Sequence, residues 1–154
     1  MADHAREVIE RFWDALYRRD YDTMLAHLDK ASFYEDVPSP DIGALGGESI
    51  VRRIRIGFDS VESHDHSWHH VVSDGRVVMI EHTETWHWHT GESATLPFVT
   101  VMEVDGDVIR RWSDYWNYDT LLGAAPQWWV TEIMEQFAAQ PFEQPAAMPA
   151  HRRP

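Results

Sequence analysis

The run Val77-Val78-Met79-Ile80-Glu81-His82-Thr83-Glu84-Thr85-Trp86-His87-Trp88-His89 constrains this chain more than any other stretch. It reads as a strand, and strand side chains alternate between two faces. One face carries Val78, Ile80, His82, Glu84, Trp86 and Trp88. That is an apolar, aromatic wall with an imidazole and a carboxylate set side by side. Burying an ionisable pair among Trp and Ile is costly unless polar partners compensate. Groups held this way have shifted pKa values and are candidates for acid–base chemistry. The pattern predicts the floor of a small-molecule pocket, with Ile80, Trp86 and Trp88 as walls.

A chain of 154 residues suits one domain, and a 44% hydrophobic fraction allows a real core. Its 8 Trp exceed what a core of this size needs, so some are expected to line a ligand site, Trp68, Trp112 and Trp116 among them. There is no Cys, which excludes disulfides, thiolate metal sites and cysteine nucleophiles. The net charge of −13 argues against nucleic acid and anionic membranes as partners. No apolar run approaches the roughly 18–20 residues that span a bilayer. The start, Met1-Ala2-Asp3-His4, has no basic segment followed by an apolar one, so a cytoplasmic location is the expectation.

Helical spacing runs over residues 3–19, with Val8, Ile9, Phe12 and Leu16 on one face and Asp3 placed to cap. A short helix is predicted over 21–29, a strand over 31–37 stopped by Pro38 and Pro40, and a helix over 48–58. The glycines at 43, 46 and 47 read as a flexible connection. Strands are then expected over 66–73, 76–89, 95–104 and 108–117, separated by turn signals such as Asp74-Gly75. That series describes an antiparallel meander. A final helix is predicted over 126–139, closing a single domain of residues 1–140. The Pro- and Ala-rich segment 141–154 is expected to be disordered. The order of elements gives an α+β domain, its helices packed on one face of a strongly bent antiparallel sheet.

Polar residues stand where apolar ones are expected in three places. His82 and Glu84 are the first. Asp114 lies between Trp112 and Trp116 on one strand face, and Tyr34 and Asp36 share a face just before Pro38. If the three faces line one cavity, several carboxyls share a low dielectric and their pKa values split, giving one acid and one base. The same residues also allow blander readings. His82 and Glu84 could be a structural pair or an exposed one, and Asp114 could simply accept indole N–H bonds.

The segments Phe33-Tyr34-Glu35-Asp36-Val37-Pro38, Ile80-Glu81-His82-Thr83-Glu84 and Ile109-Arg110-Arg111-Trp112-Ser113-Asp114-Tyr115-Trp116 carry a resemblance. The chain resembles the limonene-1,2-epoxide hydrolases and SnoaL-like polyketide cyclases of the nuclear transport factor 2-like superfamily, over roughly residues 4–120. The resemblance implies a cone-shaped α+β fold, a homodimer, a hydrophobic small-molecule substrate and catalysis without a cofactor. By position, Asp114 resembles the base that activates water and Tyr34 the phenol that holds it. Asp36 stands where Asn is usual, Glu84 where an acidic Asp is usual, and His82 where an Arg bridges the two carboxylates. Arg is permanently charged and bidentate, and His is neither. Epoxide hydrolysis is therefore the leading expectation, with His82 coupling the carboxylates. A neutral His82 acting as base in a cyclase, dehydratase or isomerase is the alternative, and a non-catalytic binding module is the third reading.

The remaining histidines, His64, His66, His69 and His70 with His87 and His89, have spacings that occur in metal sites, but they offer no clear ligand geometry. Alternation splits the first group between faces and sets His87 and His89 opposite the pocket, so no metal is expected.

Overall fold

The computed structural model of the chain describes residues 2–147 and 149–152. Helix α1 (His4–Tyr17) starts where Asp3 accepts a hydrogen bond from the Arg6 amide at 3.1 Å. It buries one stripe of Val8, Ile9, Phe12, Trp13 and Leu16. Asp20 caps α2 (Tyr21–Ala26) in the same way. This helix is shorter than its pattern suggests. The amides of His27 and Leu28 bond three residues back, to Met24 and Leu25, and the Asp29 carboxylate then takes the amides of Ala31 and Ser32 to form a turn. Strands β1 (Phe33–Asp36) and β2 (Ala44–Leu45) follow, then α3 (Gly47–Phe58). Gly47, read from sequence as connection, is already helical.

The chain next lays down β3 (Ser63–Ser73), β4 (Val77–His87), β5 (Ser93–Asp105) and β6 (Val108–Tyr115) as the expected meander. Helices α4 (Tyr118–Ala124) and α5 (Gln127–Ala139) complete the fold. Among the described residues, no helix is long and apolar enough to cross a membrane.

The curved, unclosed sheet has the order β2-β1-β6-β5-β4-β3. One pairing departs from the antiparallel expectation: β1 runs parallel to β6, with Asp36 beside Asp114 and Tyr34 beside Trp112. The chain between β1 and β6 passes through α3 and the whole meander, so no hairpin forces the two strands to oppose. On β4, Val78, Ile80, His82, Glu84 and Trp86 are all buried, as the alternation predicts. Helix α1 packs over this inner face, in contact with β3, β4 and β5.

Sequence reading missed β2 and α4, which are only two and seven residues long. It also missed order in the tail. From Pro141 onward the described residues are anchored. Phe142 is buried against Phe137, and the Glu143 carbonyl accepts from the Leu45 amide at 2.9 Å. Arg152 donates to the Val37 carbonyl at 3.0 Å and, with His151, pairs with the wholly buried Glu35. A tail rich in Pro and Ala can still dock where one aromatic ring and one guanidinium find partners. Residues 148, 153 and 154, included in the disorder expectation, lie outside the described residues.

Gly43 sets the approach of the β1–β2 connection. Its φ is +122°, and a Cβ there would lie 2.2 Å from the Tyr34 carbonyl oxygen and 3.1 Å from the Glu35 Cα. Only glycine fits both the angle and the space. Gly43→Ala is expected to lower stability by at least about 2 kcal/mol in urea unfolding, and a neutral result would show that β1 does not depend on this contact.

Candidate active site

The inner sheet face and the helices enclose a cavity of about 490 Å³. Its walls are mainly apolar and aromatic, with Trp86, Trp112 and Trp116 from the sheet and Trp129 from α5. The carboxyls of Asp36, Glu84 and Asp114 and the Tyr34 phenol all line it. The three polar places picked out in the sequence therefore meet in one chamber, and both Tyr34 and Asp36 turn inward.

Strand register explains how. The parallel β1–β6 pairing sets Asp36 directly beside Asp114. Tyr34 donates its hydroxyl to Asp36 Oδ1 at 2.6 Å and lies 3.4 Å from Asp114 Oδ2. Trp116 Nε1 also donates to Asp36 Oδ1, at 3.1 Å. Opposite Asp114 on β5 is Thr100. Asp114 Oδ1 accepts from the Thr100 hydroxyl at 2.5 Å and from Trp112 Nε1 at 2.9 Å. Glu84 accepts from Trp86 Nε1 at 2.8 Å and from the Tyr17 hydroxyl.

Burial dominates the titration of these groups. It pushes Glu84 up to about 7, against the donors Tyr17 and Trp86, and Asp36 adds to the rise. It raises Asp114 well above the ordinary carboxylate range, helped by the negative charge of Asp36 and opposed by Thr100 and Trp112. Burial also lifts the Tyr34 phenol, so Tyr34 stays a proton donor. Glu84 and Asp114 are thus two carboxyls that resist joint ionisation.

Asp36 has its own counter-ion. Arg53, on α3 and 4% exposed, donates through Nε and Nη2 to Asp36 Oδ2 at 3.3 and 3.2 Å. Its Nη1 reaches Asp41 at 2.5 Å. Sequence reading overlooked Arg53, although the signal was present: position 53 lies on the same helical face as Ile50 and Ile54. Thr100 was overlooked for a similar reason. It stands in the inward series Leu96, Phe98, Thr100, Met102 of β5, the one hydroxyl in an apolar row.

His82 does not bridge the carboxylates. It is fully buried beside Phe98, outside the cavity lining, and both ring nitrogens are engaged. Nε2 contacts the Thr100 hydroxyl at 2.7 Å and Nδ1 contacts His66 Nε2 at 2.9 Å. An imidazole is too short to span what a guanidinium would. Burial lowers His82 to about 3 and His66 to about 4, so both rings are neutral.

Three residues expected as walls also lie elsewhere. Ile80 is fully buried core, and Trp88 sits behind Trp86 against Trp129. Trp68, near the outer edge of the sheet, packs its edge on His66. All three share the predicted face, but the cavity covers only the part of it around Glu84 and Trp86. Among the other histidines, His64 stacks on Phe58, while His69 and His70 turn outward to Thr83 and Glu81 after a bulge in β3. His87 pairs with Asp65, and His89 packs on Trp128. Among the described residues, no group of three or more His, Asp or Glu is placed to hold a metal ion.

Residues 3–127 match the limonene-1,2-epoxide hydrolase catalytic domain. The chain belongs to that family. No curated protein matches it. Among solved structures, an LEH-like epoxide hydrolase from M. tuberculosis is 24% identical, with 84% of this chain and 90% of that one covered and a TM-score of 0.66. A SnoaL-like polyketide-cyclase candidate from Shewanella putrefaciens is 18% identical, with coverage of 80% and 96% and a TM-score of 0.71. The Delta 5-3-ketosteroid isomerase of a Mycobacterium species is 17% identical, with coverage of 78% and 97% and a TM-score of 0.66. These likenesses establish the nuclear transport factor 2-like fold. The family's members include enzymes.

Two outcomes follow for this epoxide-hydrolase-family site. Glu84 has a folded-state pKa raised from 4.5 to about 7. Its protonated form is favoured on folding, so its stabilising effect is full below pH 4.5 and fades as pH rises through 7. Glu84→Gln removes that dependence. Relative to wild type, the variant should gain up to about 3 kcal/mol between acidic and mildly alkaline pH in denaturant unfolding. A difference that does not vary with pH would refute the raised value. Arg53→Met strands Asp36 and Asp41 in the cavity wall and is expected to cost about 3–5 kcal/mol. A loss under 1 kcal/mol, roughly that of an exposed pair, would mean the carboxylates are solvated.

Proposed function

We propose that the protein hydrolyses an epoxide on a hydrophobic, terpenoid-like small molecule, using carboxylate-activated water. The observation that supports this most strongly is the joint presence of Tyr34, Asp36, Glu84 and Asp114 in the lining of one otherwise apolar cavity. An epoxide needs a base to deprotonate the attacking water and an acid to protonate the leaving oxygen. Tyr34 and Asp36 cluster on the Asp114 side of the site, where they hold water for Asp114 as base. Glu84, raised to about 7 by burial, keeps its proton in a large share of molecules near neutral pH, where an ordinary carboxyl would be fully ionised, and serves as the acid. The apolar walls bind the hydrocarbon body and exclude bulk water.

A specific observation favours a second reading. A carboxyl kept protonated by an apolar site can donate a hydrogen bond to a developing enolate oxygen, and Asp114 is so held beside the protonated Tyr34 phenol. In that reading Glu84 is the base of an isomerase or cyclase acting on a polycyclic enone.

Turnover in ¹⁸O-water separates the readings. With limonene-1,2-epoxide and related terpene epoxides, wild type is expected to form a diol carrying one labelled oxygen. Asp114→Asn should lose about 10²–10⁴ in kcat. An unlabelled, mass-neutral product from a steroid or polyketide enone would support the isomerase reading. Tight binding of such compounds with no product, unaffected by Asp114→Asn, would refute both and leave a binding module.

A further inference from the structure

Beyond the cavity carboxyls themselves, the structure holds a continuous line of polar atoms across four neighbouring strands. It starts at Asp114 Oδ1 on β6 and passes to Thr100 Oγ1 on β5 at 2.5 Å. It continues to His82 Nε2 on β4 at 2.7 Å and from His82 Nδ1 to His66 Nε2 on the edge strand β3 at 2.9 Å. Thr100 and His82 are wholly buried, and neither they nor His66 line the cavity. His66 is partly exposed, and its Nδ1 has no hydrogen-bond partner among the described residues.

The directions of these bonds are linked. Thr100 has one hydroxyl proton. When Asp114 is ionised that proton points at the carboxylate, so His82 must donate through Nε2–H and receive at Nδ1 from His66 Nε2–H. When Asp114 carries a proton on Oδ1, each bond reverses: the carboxyl donates to Thr100, Thr100 to His82 Nε2, and His82 Nδ1–H to His66 Nε2. The outermost proton then sits on His66 Nδ1. Every hydrogen bond survives in both states, so neither state leaves a buried polar atom unpaired.

We propose that Thr100, His82 and His66 form a proton relay that connects Asp114 to solvent along the sheet, by a route that avoids the cavity. In the releasing direction, the Asp114 Oδ1 proton moves to Thr100 Oγ1 and the Thr100 proton moves to His82 Nε2. The His82 Nδ1 proton moves to His66 Nε2, and the His66 Nδ1 proton leaves to water. One proton is lost in total, the carboxylate is formed, and both rings have exchanged tautomer. Neither ring has to exist as a free imidazolium, which burial opposes.

Because the route avoids the cavity, Asp114 can ionise with a substrate in place. Its use in arming the base of an epoxide hydrolase rests on the function proposed above, whereas the relay itself does not. His66 and Thr100 are positioning residues in this scheme, since they act only through Asp114.

Other charges bear on the same equilibrium. Asp114 is faced by Asp36 and Tyr34 from β1, by Glu84 from β4 and by Tyr17 from α1, with Arg53 of α3 held on Asp36. His66 is stacked on Tyr17 at 4.1 Å and on Trp13 at 5.7 Å, and His69 of its own strand is the further charge acting on it and on His82.

The test is a pH titration of ¹³C,¹⁵N-labelled protein by NMR. Ring-nitrogen shifts report the tautomers of His66 and His82, and the Asp114 Cγ shift, identified by its absence in Asp114→Asn, reports the carboxyl. As pH rises, wild type is expected to show both rings passing from the Nδ1–H to the Nε2–H tautomer with the same midpoint as Asp114 Cγ. Thr100→Val should break that coincidence and Thr100→Ser should restore it. The relay is overturned if Asp114 Cγ titrates while either ring keeps its tautomer, if the three midpoints differ in wild type, or if Thr100→Val leaves the joint switch intact. The measurement uses no substrate, so failure to hydrolyse epoxides and failure of the relay are seen separately.

Discussion

The buried pair between Arg53 and Asp36 is the interaction on which the rest of the site depends. Three carboxyls line one low-dielectric cavity, and three negative charges at that depth would be prohibitive. Arg53 resolves this by fixing one charge. Its guanidinium is buried, chelates Asp36 and reaches Asp41, so the Asp36 carboxylate has a cation beside it. That anion in turn raises both Asp114 and Glu84. The helix thereby sets the proton affinity of two groups carried by the sheet, and catalytic carboxyls need such control near neutral pH.

Around this pair, strand register supplies the precision. The parallel β1–β6 step sets Asp36 beside Asp114, and the antiparallel β5–β6 step sets Thr100 opposite it. Successive strands lie about 4.8 Å apart, so residues in register, or one diagonal step away, come within hydrogen-bond reach if their side chains are of suitable length. Asp, Thr, His and His meet that condition from β6 to β3. Rigid strands, rather than loops, therefore carry nearly all the polar groups, which suits a site that must keep fixed geometry inside an apolar chamber.

Local periodicity made much of this readable from sequence. The inward face of β4 was evident because alternation is a nearest-neighbour property, and the glycine-marked turns delimited the meander. Tyr34, Asp36, Glu84 and Asp114 stood out as polar residues on apolar faces. Arg53 and Thr100 obeyed the same rule and were passed over: Arg53 because helical arginines are commonly read as solvated, and Thr100 because threonine is common in strands. The parallel pairing of β1 and the anchoring of the tail were not readable at all. Both depend on contacts between residues far apart in the chain, such as Glu35 with Arg152, which leave no local pattern.

His82, where the resemblance implies an Arg, changes how the carboxyls of the site are wired. Where the resemblance places a guanidinium between two carboxylates, this chain has a neutral imidazole turned along the sheet. The missing positive charge comes instead from Arg53, on a helix, and is bound to a different carboxylate. A bridging guanidinium would couple the two cavity acids directly, but it would also hold both of them ionised. With the cation moved to Asp36, Asp114 and Glu84 are free to be protonated. They then differ only in their neighbours: Thr100 and Trp112 for one, Tyr17 and Trp86 for the other. In the hydrolysis proposed above, the division of labour between acid and base would therefore rest on hydrogen-bond donors rather than on a shared counter-ion. Thr100 also offers Asp114 an onward path through His82 and His66; on Glu84 the indole cannot accept a proton in return, and the Tyr17 hydroxyl has no further hydrogen-bond partner among the described residues.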